Sequence, residues 1–204
     1  MRFLLDTGPG QVQKAAAKHQ CVLGQLLTPL TRRLNWNGGC FAVDNGAFSR
    51  FESVYFANIL KRERERREDC LFVVVPDVVG SARRTLELWQ HRQQWVPAGW
   101  PRALVAQDGQ EHLPVPWDEI QCLFIGGGDP WKDSRAAQDL VRTAKILGKH
   151  VHVGRVNSVE RFELFSKLGA DTCDGSGVSK YDHMLRNIEQ ACNREPEPEL
   201  ELGV

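Results

Sequence analysis

No run of 18 apolar residues occurs anywhere in the 204-residue chain, so the sequence offers no membrane-spanning helix. The opening residues, MRFLLDTGPG, hold an apolar stretch too short for a secretory signal, and Asp6 interrupts it. Net charge is also lacking, because 26 Lys and Arg balance 26 Asp and Glu. That balance excludes a strong global field drawing the protein to nucleic acid or membrane, although a local basic patch survives a neutral total. The six cysteines stand singly at 21, 40, 70, 122, 173 and 192, with no Cys-x-x-Cys pair, which speaks against a zinc ribbon. Five of them fall within or beside predicted strands, where a free thiol behaves as a small core residue. We therefore expect a reduced, cytoplasmic protein with no metal site and no cofactor. No internal repeat of fixed period is present.

What the sequence has is alternation. Strands are predicted near 2–6, 21–26, 40–44, 70–76, 102–107, 121–126, 150–154 and 170–174. Several are continuous apolar runs, as parallel strands buried on both faces require. Helical patterns fall between them, near 11–19, 53–68, 81–96, 133–147, 158–168 and 182–192. Ser53, Ser81, Asp133 and Ser158 are candidate N-caps, and Gly148 and Gly169 sit where a helix ends before a strand. Leu164, Phe165 and Leu168 give one helix a core-facing stripe. The expected fold class is α/β, a compact (β/α)8 barrel forming a single domain over residues 1–193, with a doubly wound sheet as the alternative. The length is short for such a barrel, so some connections are minimal; 108–120 has room for one helical turn, and 27–39 is irregular. KRERERRED at 61–69 reads as the solvated face of a helix with i,i+4 pairs. The acidic, proline-punctuated tail at 194–204 is expected to be disordered.

Polar residues collect at the predicted strand ends. Asp44-Asn45-Gly46 ends the third strand, Asp77 the fourth and Gln107-Asp108-Gly109 the fifth. Gly126-Gly127-Gly128-Asp129 ends the sixth, Gly154-Arg155 the seventh and Asp174-Gly175 the eighth. In a parallel barrel these ends share one rim, where such folds carry their chemistry. Paired carboxylates suit a glycosidic carbon: one attacks while the other handles the proton of the leaving group. The glycines at 126–128 allow close backbone approach to a planar heterocycle or a phosphate. Phe48 could stack on a base or serve the core. His150 and His152 share one strand face, as a metal pair or as packed strand histidines.

These residues resemble motifs of the tRNA-guanine transglycosylase superfamily, closest to its small members associated with 7-deazaguanine in DNA. VDNGAF at 43–48 is similar to the family's Asp-Ser-Gly-Gly-Phe segment, VPD at 75–77 to its guanine-reading aspartate, and VAQDG at 105–109 to its Val-Gln-Gly. IGGGD at 125–129 resembles the loop that holds the base through its backbone, and GADTCD at 169–174 the segment ending in the nucleophile. The family's three-cysteine, one-histidine zinc site is absent, as is the region that carries it. Ala47 stands for the second glycine, Ser49 for a glutamine, and the Pro-Thr-Arg after the nucleophile is missing.

The resemblance implies a base-exchanging transglycosylase with Asp174 as nucleophile and Asp44 as general acid and base. Asp77, Gln107, Gly126, Gly127, Gly128, Phe48 and Asn45 would hold the base. The implied partners are a nucleic acid, with DNA favoured over tRNA, and a free 7-deazaguanine base; a partner protein or a homo-oligomer stays open. Arg155, Lys132, Lys180, Arg32 and Arg33 are candidates for phosphate contacts. Two alternatives remain: a barrel isomerase or lyase acting on a small phosphorylated metabolite, and a non-catalytic nucleic-acid-binding relative.

Overall fold

The computed structural model describes residues 1–29 and 39–192, the side chain of Cys192 excepted. Arg32, Arg33 and the tail at 194–204 lie outside the described residues. Eight strands form one closed, all-parallel barrel in sequence order. They are β1 (Arg2–Leu5), β2 (Val22–Leu27), β3 (Phe41–Val43), β4 (Cys70–Val74), β5 (Arg102–Ala106), β6 (Cys122–Ile125), β7 (His150–Val153) and β8 (Thr172–Cys173). The circle closes where Arg2 pairs with Thr172 and Phe3 with Cys173. That pairing rules out the doubly wound sheet, whose edge strands stay apart. The (β/α)8 barrel expected from the alternation is the fold observed.

Among the described residues eight α-helices flank the strands: α1 (Pro9–Lys18), α2 (Ser53–Arg62), α3 (Ala82–Arg92), α4 (Asp129–Lys132), α5 (Arg135–Ile146), α6 (Val159–Lys167), α7 (Ser176–Lys180) and α8 (Asp182–Cys192). Among the described residues no helix is long and apolar enough to cross a membrane. The strand period of two divides the apolar residues between two layers. Phe3, Val43, Val73, Leu104 and Val151 face outward and pack against the helices. Leu4, Ala42, Phe72, Val74, Val105 and Phe124 fill the barrel itself. α6 buries Phe162 and Phe165 completely and lays Leu164 and Leu168 half-buried on the same core. Each such phenylalanine contributes up to about 3 kcal/mol.

Ser81 and Ser158 accept capping bonds from the Arg84 and Arg161 amides. Gly148 and Gly169 end α5 and α6 at φ +67° and +85°. Two expected caps differ. Ser53 is the first helical residue of α2, with Glu52 at the cap position and no side-chain bond. Ser134, not Asp133, caps α5, because Asp133 is engaged by the Arg161 guanidinium at 2.6 Å. The predicted helix at 53–68 also divides: α2 stops at Arg62, and 64–69 wind as a tighter 3-10 turn. Its charges accordingly pair at i,i+1 and i,i+3, as in Arg62–Glu63 at 2.6 Å and Arg66–Asp69 at 3.0 Å, rather than at i,i+4. The short helices α4 and α7 occupy stretches read from sequence as strand-end loop.

Candidate active site

Every strand contributes to a cavity of about 360 Å³ at the C-terminal end of the barrel. Asp6, Thr28, Asp44, Asp77, Gln107, Gly126, Gly154 and Asp174 follow the eight strands in order and line it. Strand parity explains the convergence. Asp44 lies two residues beyond inward-facing Ala42, Gln107 two beyond Val105, and Gly126 two beyond Phe124. The floor is apolar, formed by Leu26, Val74, Val105 and Phe124.

Asp174 extends β8 inward. Its Oδ1 accepts the Arg155 backbone N–H at 3.2 Å, and its Oδ2 lies 3.0 Å from His152 Nε2. Asp44 accepts the Gly46 amide at 3.0 Å. Burial raises the Asp44 carboxyl to about 7; the Gly46 bond opposes this, and the charges of Asp174, Asp77 and Asp6 add to it. A carboxyl poised there can give or take a proton near neutrality. Asp77 is gripped from both sides, with Asn45 Nδ2 at 2.8 Å from Oδ1 and Gln107 Nε2 at 2.6 Å from Oδ2. Burial raises the Asp77 carboxyl too, and the two amide donors pull it back.

The cavity brings together Asp44, Asp174, Asp77, Gln107, Asn45, Phe48, Gly126 and Gly127, but Gly128 does not line it. The glycine loop spends its amides inside the protein. Gly126 N–H donates to Ala106 O at 3.0 Å, Gly127 N–H to Gln107 Oε1 at 3.0 Å, and Gly128 N–H to Asp108 Oδ2 at 2.7 Å. Gly127 must be glycine on two counts: its φ is +65°, and a Cβ would stand 2.4 Å from the Trp131 ring. Asn45 is fully buried, its amide committed to Val75 O, Asp77 and the Ala47 N–H. It is a brace for Asp77.

Phe48 stands 66% exposed at the mouth, with the Arg155 guanidinium 4.8 Å from its ring centroid. The same guanidinium donates to Gly127 O. Arg155 holds φ +59°, a left-handed backbone that costs a non-glycine residue about 1 kcal/mol. This geometry aims its N–H at Asp174. Lys132, a candidate for phosphate, is instead wholly buried and donates to Gly154 O at 2.6 Å. Burial lowers its ammonium to about 8. Lys180 is exposed on α7.

Sequence reasoning missed Asp6 and His152 as parts of the site. Asp6 ends β1 as Asp44 ends β3, so the same strand-end signal carried it. His152 had no such signal, because its partner lies on the next strand. Among the described residues no group of three or more His, Cys, Asp or Glu side chains is placed to hold a metal ion. Cys21, Cys40, Cys70, Cys122 and Cys173 take part in no disulfide. Neither a protein-family model nor a curated protein matches the chain.

Proposed function

We propose that the protein exchanges guanine for a 7-deazaguanine base in nucleic acid, through a covalent aspartyl-glycosyl intermediate. One observation carries this reading. Asp174 and Asp44 open on the same cavity as the Asp77–Gln107 pair, and their environments differ. Asp174 has a polar partner on each oxygen, the Arg155 N–H and the His152 ring, whereas Asp44 sits near 7 with one backbone donor. Two carboxyl groups held apart in this way suit one nucleophile and one proton carrier.

A cavity this small admits a base and its sugar but not a duplex, so the target nucleotide leaves its stack to enter. An Asp174 oxygen attacks C1′ as the bond from C1′ to N9 of guanine breaks. Asp44 gives its proton to the departing guanine. The incoming 7-deazaguanine then loses its N9 proton to Asp44, and N9 displaces Asp174 from C1′. Asp77, which lines the cavity, accepts from the donor edge of guanine, and Phe48 offers a stacking face at the mouth. The absent zinc region favours DNA over tRNA. The alternative substrate, a small phosphorylated metabolite, would use the glycine-rich loops after strands 6 and 8, and the three amides of the strand-6 loop are already engaged.

The test is incorporation of labelled guanine into single-stranded DNA, duplex DNA and tRNA, alongside a denaturing gel of protein stalled without acceptor base. Exchange in one nucleic acid together with a gel-stable adduct is the expected outcome. No exchange and no adduct with any of the three would sink the proposal.

A further inference from the structure

A chain of side-chain hydrogen bonds runs down the inside of the barrel from Asp174, and the base-exchange scheme does not use it. His152 Nε2 lies 3.0 Å from Asp174 Oδ2, and His152 Nδ1 lies 2.9 Å from Thr172 Oγ1. His150 Nε2 reaches the same hydroxyl at 2.8 Å. His152 is completely buried, its ring centroid 4.9 Å from that of Phe72 and 4.5 Å from that of Phe124. The two phenyl rings pack against the imidazole from within the barrel.

The polarity of this chain follows from its upper end. An ionised carboxylate only accepts, so the shared proton sits on His152 Nε2. In a neutral imidazole Nδ1 is then bare and accepts the Thr172 hydroxyl proton. With that proton spent, the Thr172 oxygen accepts from His150 Nε2–H. Burial pushes His150 down to about 4, so near neutral pH it carries the single ring proton this role requires.

We propose that His152 is a positioning residue for Asp174, its Nε2–H fixing the carboxylate while Thr172 and His150 lock the imidazole in the tautomer that can do so. The proposal rests on the base-exchange reading for what Asp174 does. A strand-end carboxylate otherwise turns freely about its last bond, and attack at C1′ needs it held. His152 on Oδ2 and the Arg155 N–H on Oδ1 fix that rotation and leave each oxygen a lone pair. When the ester breaks, the returning charge meets donors already in place.

Two measurements test it. Long-range proton–nitrogen NMR of histidine-labelled wild type at neutral pH should show a proton on Nε2 of His152; a bare Nε2 overturns the proposal. In guanine exchange, His152→Phe keeps the ring's bulk but removes the donor. It should lose about 10²-fold in kcat, the cost of a misplaced reacting group, with KM for guanine little changed. His152→Gln puts an amide N–H where Nε2–H was and should recover most of the rate. A Phe variant as fast as wild type, or a Gln variant as slow as Phe, overturns it. If wild type exchanges nothing, the base-exchange reading fails, and the NMR measurement decides the His152 assignment alone. That measurement also decides it if the Phe variant does not fold.

Discussion

Burial and three neighbouring carboxylates hold Asp44 near 7, and the consequences can be measured in both rate and stability. In the proposed exchange, guanine departure needs Asp44 protonated, so adduct formation should slow as pH rises through about 7. Attack by the incoming base needs the carboxylate and should quicken over the same range. Single-turnover rates for each half-reaction would show the opposed profiles; parallel profiles would remove Asp44 from the proton transfer. For stability, the folded value lies above the unfolded one of about 3.9. The contribution is therefore fully present below pH 4 or so and lost as pH rises through the folded value. Asp44→Asn should melt roughly 5 °C above wild type at pH 8, with the gap closing near pH 4. Asp174→Asn should leave no adduct on a denaturing gel and lower exchange by several powers of ten, with the fold intact. An undiminished adduct rules Asp174 out. Asp171 is no substitute, since it lies at the opposite end of β8, bound to Lys145 at 2.6 Å. At this scale Asp44, Asp77, Gln107 and Asp174 were legible because a polar residue ending an apolar strand stands out in one dimension. His152 and the bracing role of Asn45 were not, because each depends on a partner supplied by another strand.

Elements were legible where periodicity is long and less so where charge density breaks it. All eight strands fall within two residues of the sequence expectation. The 61–69 run went wrong because its charges satisfy a helix and a 3-10 turn equally well. The closure of the barrel at its last helix illustrates what sequence could not show at all. His19, 2% exposed at the end of α1, places its two ring nitrogens 2.9 Å from Asp182 and 2.8 Å from Glu189, both on α8. Lys18 adds a contact to Asp182 at 2.5 Å. These partners hold the Asp182 carboxyl down at about 2, with Lys18 first and His19 second. A depressed carboxyl contributes stability that is present above its unfolded value and lost as pH falls through the folded one. We expect α8 to loosen between about pH 4 and 2, read as early pepsin cleavage within 182–192, while the strands stay protected. His19→Gln should bring that cleavage to higher pH; unchanged cleavage would show that α8 is held by packing alone.

Over the whole molecule the charges cancel, yet they are not evenly spread. Four carboxylates, Asp6, Asp44, Asp77 and Asp174, line the cavity, and Arg155 is its one cation among the described residues. A polyanion approaching such a mouth gains little from phosphate contacts. Single-stranded binding should therefore depend weakly on salt, with log K against log salt falling no more steeply than about −2, or some three phosphates. A slope beyond about −5 would show a phosphate track and undo this view. The spent glycine amides take the matter further. With the amides of the 126–128 loop spent and four carboxylates in its lining, the cavity offers mainly acceptors. Sugar phosphates, nucleotides and organic acids crowd any cell at concentrations far above a free purine, and each would present its negative charge to this mouth. Repulsion by these carboxylates disfavours their entry as free anions, whereas a nucleotide within a strand enters with its flanking phosphates left at the mouth. A neutral heterocycle with several N–H groups on one edge passes. The barrel thus disfavours much of its own background by charge alone.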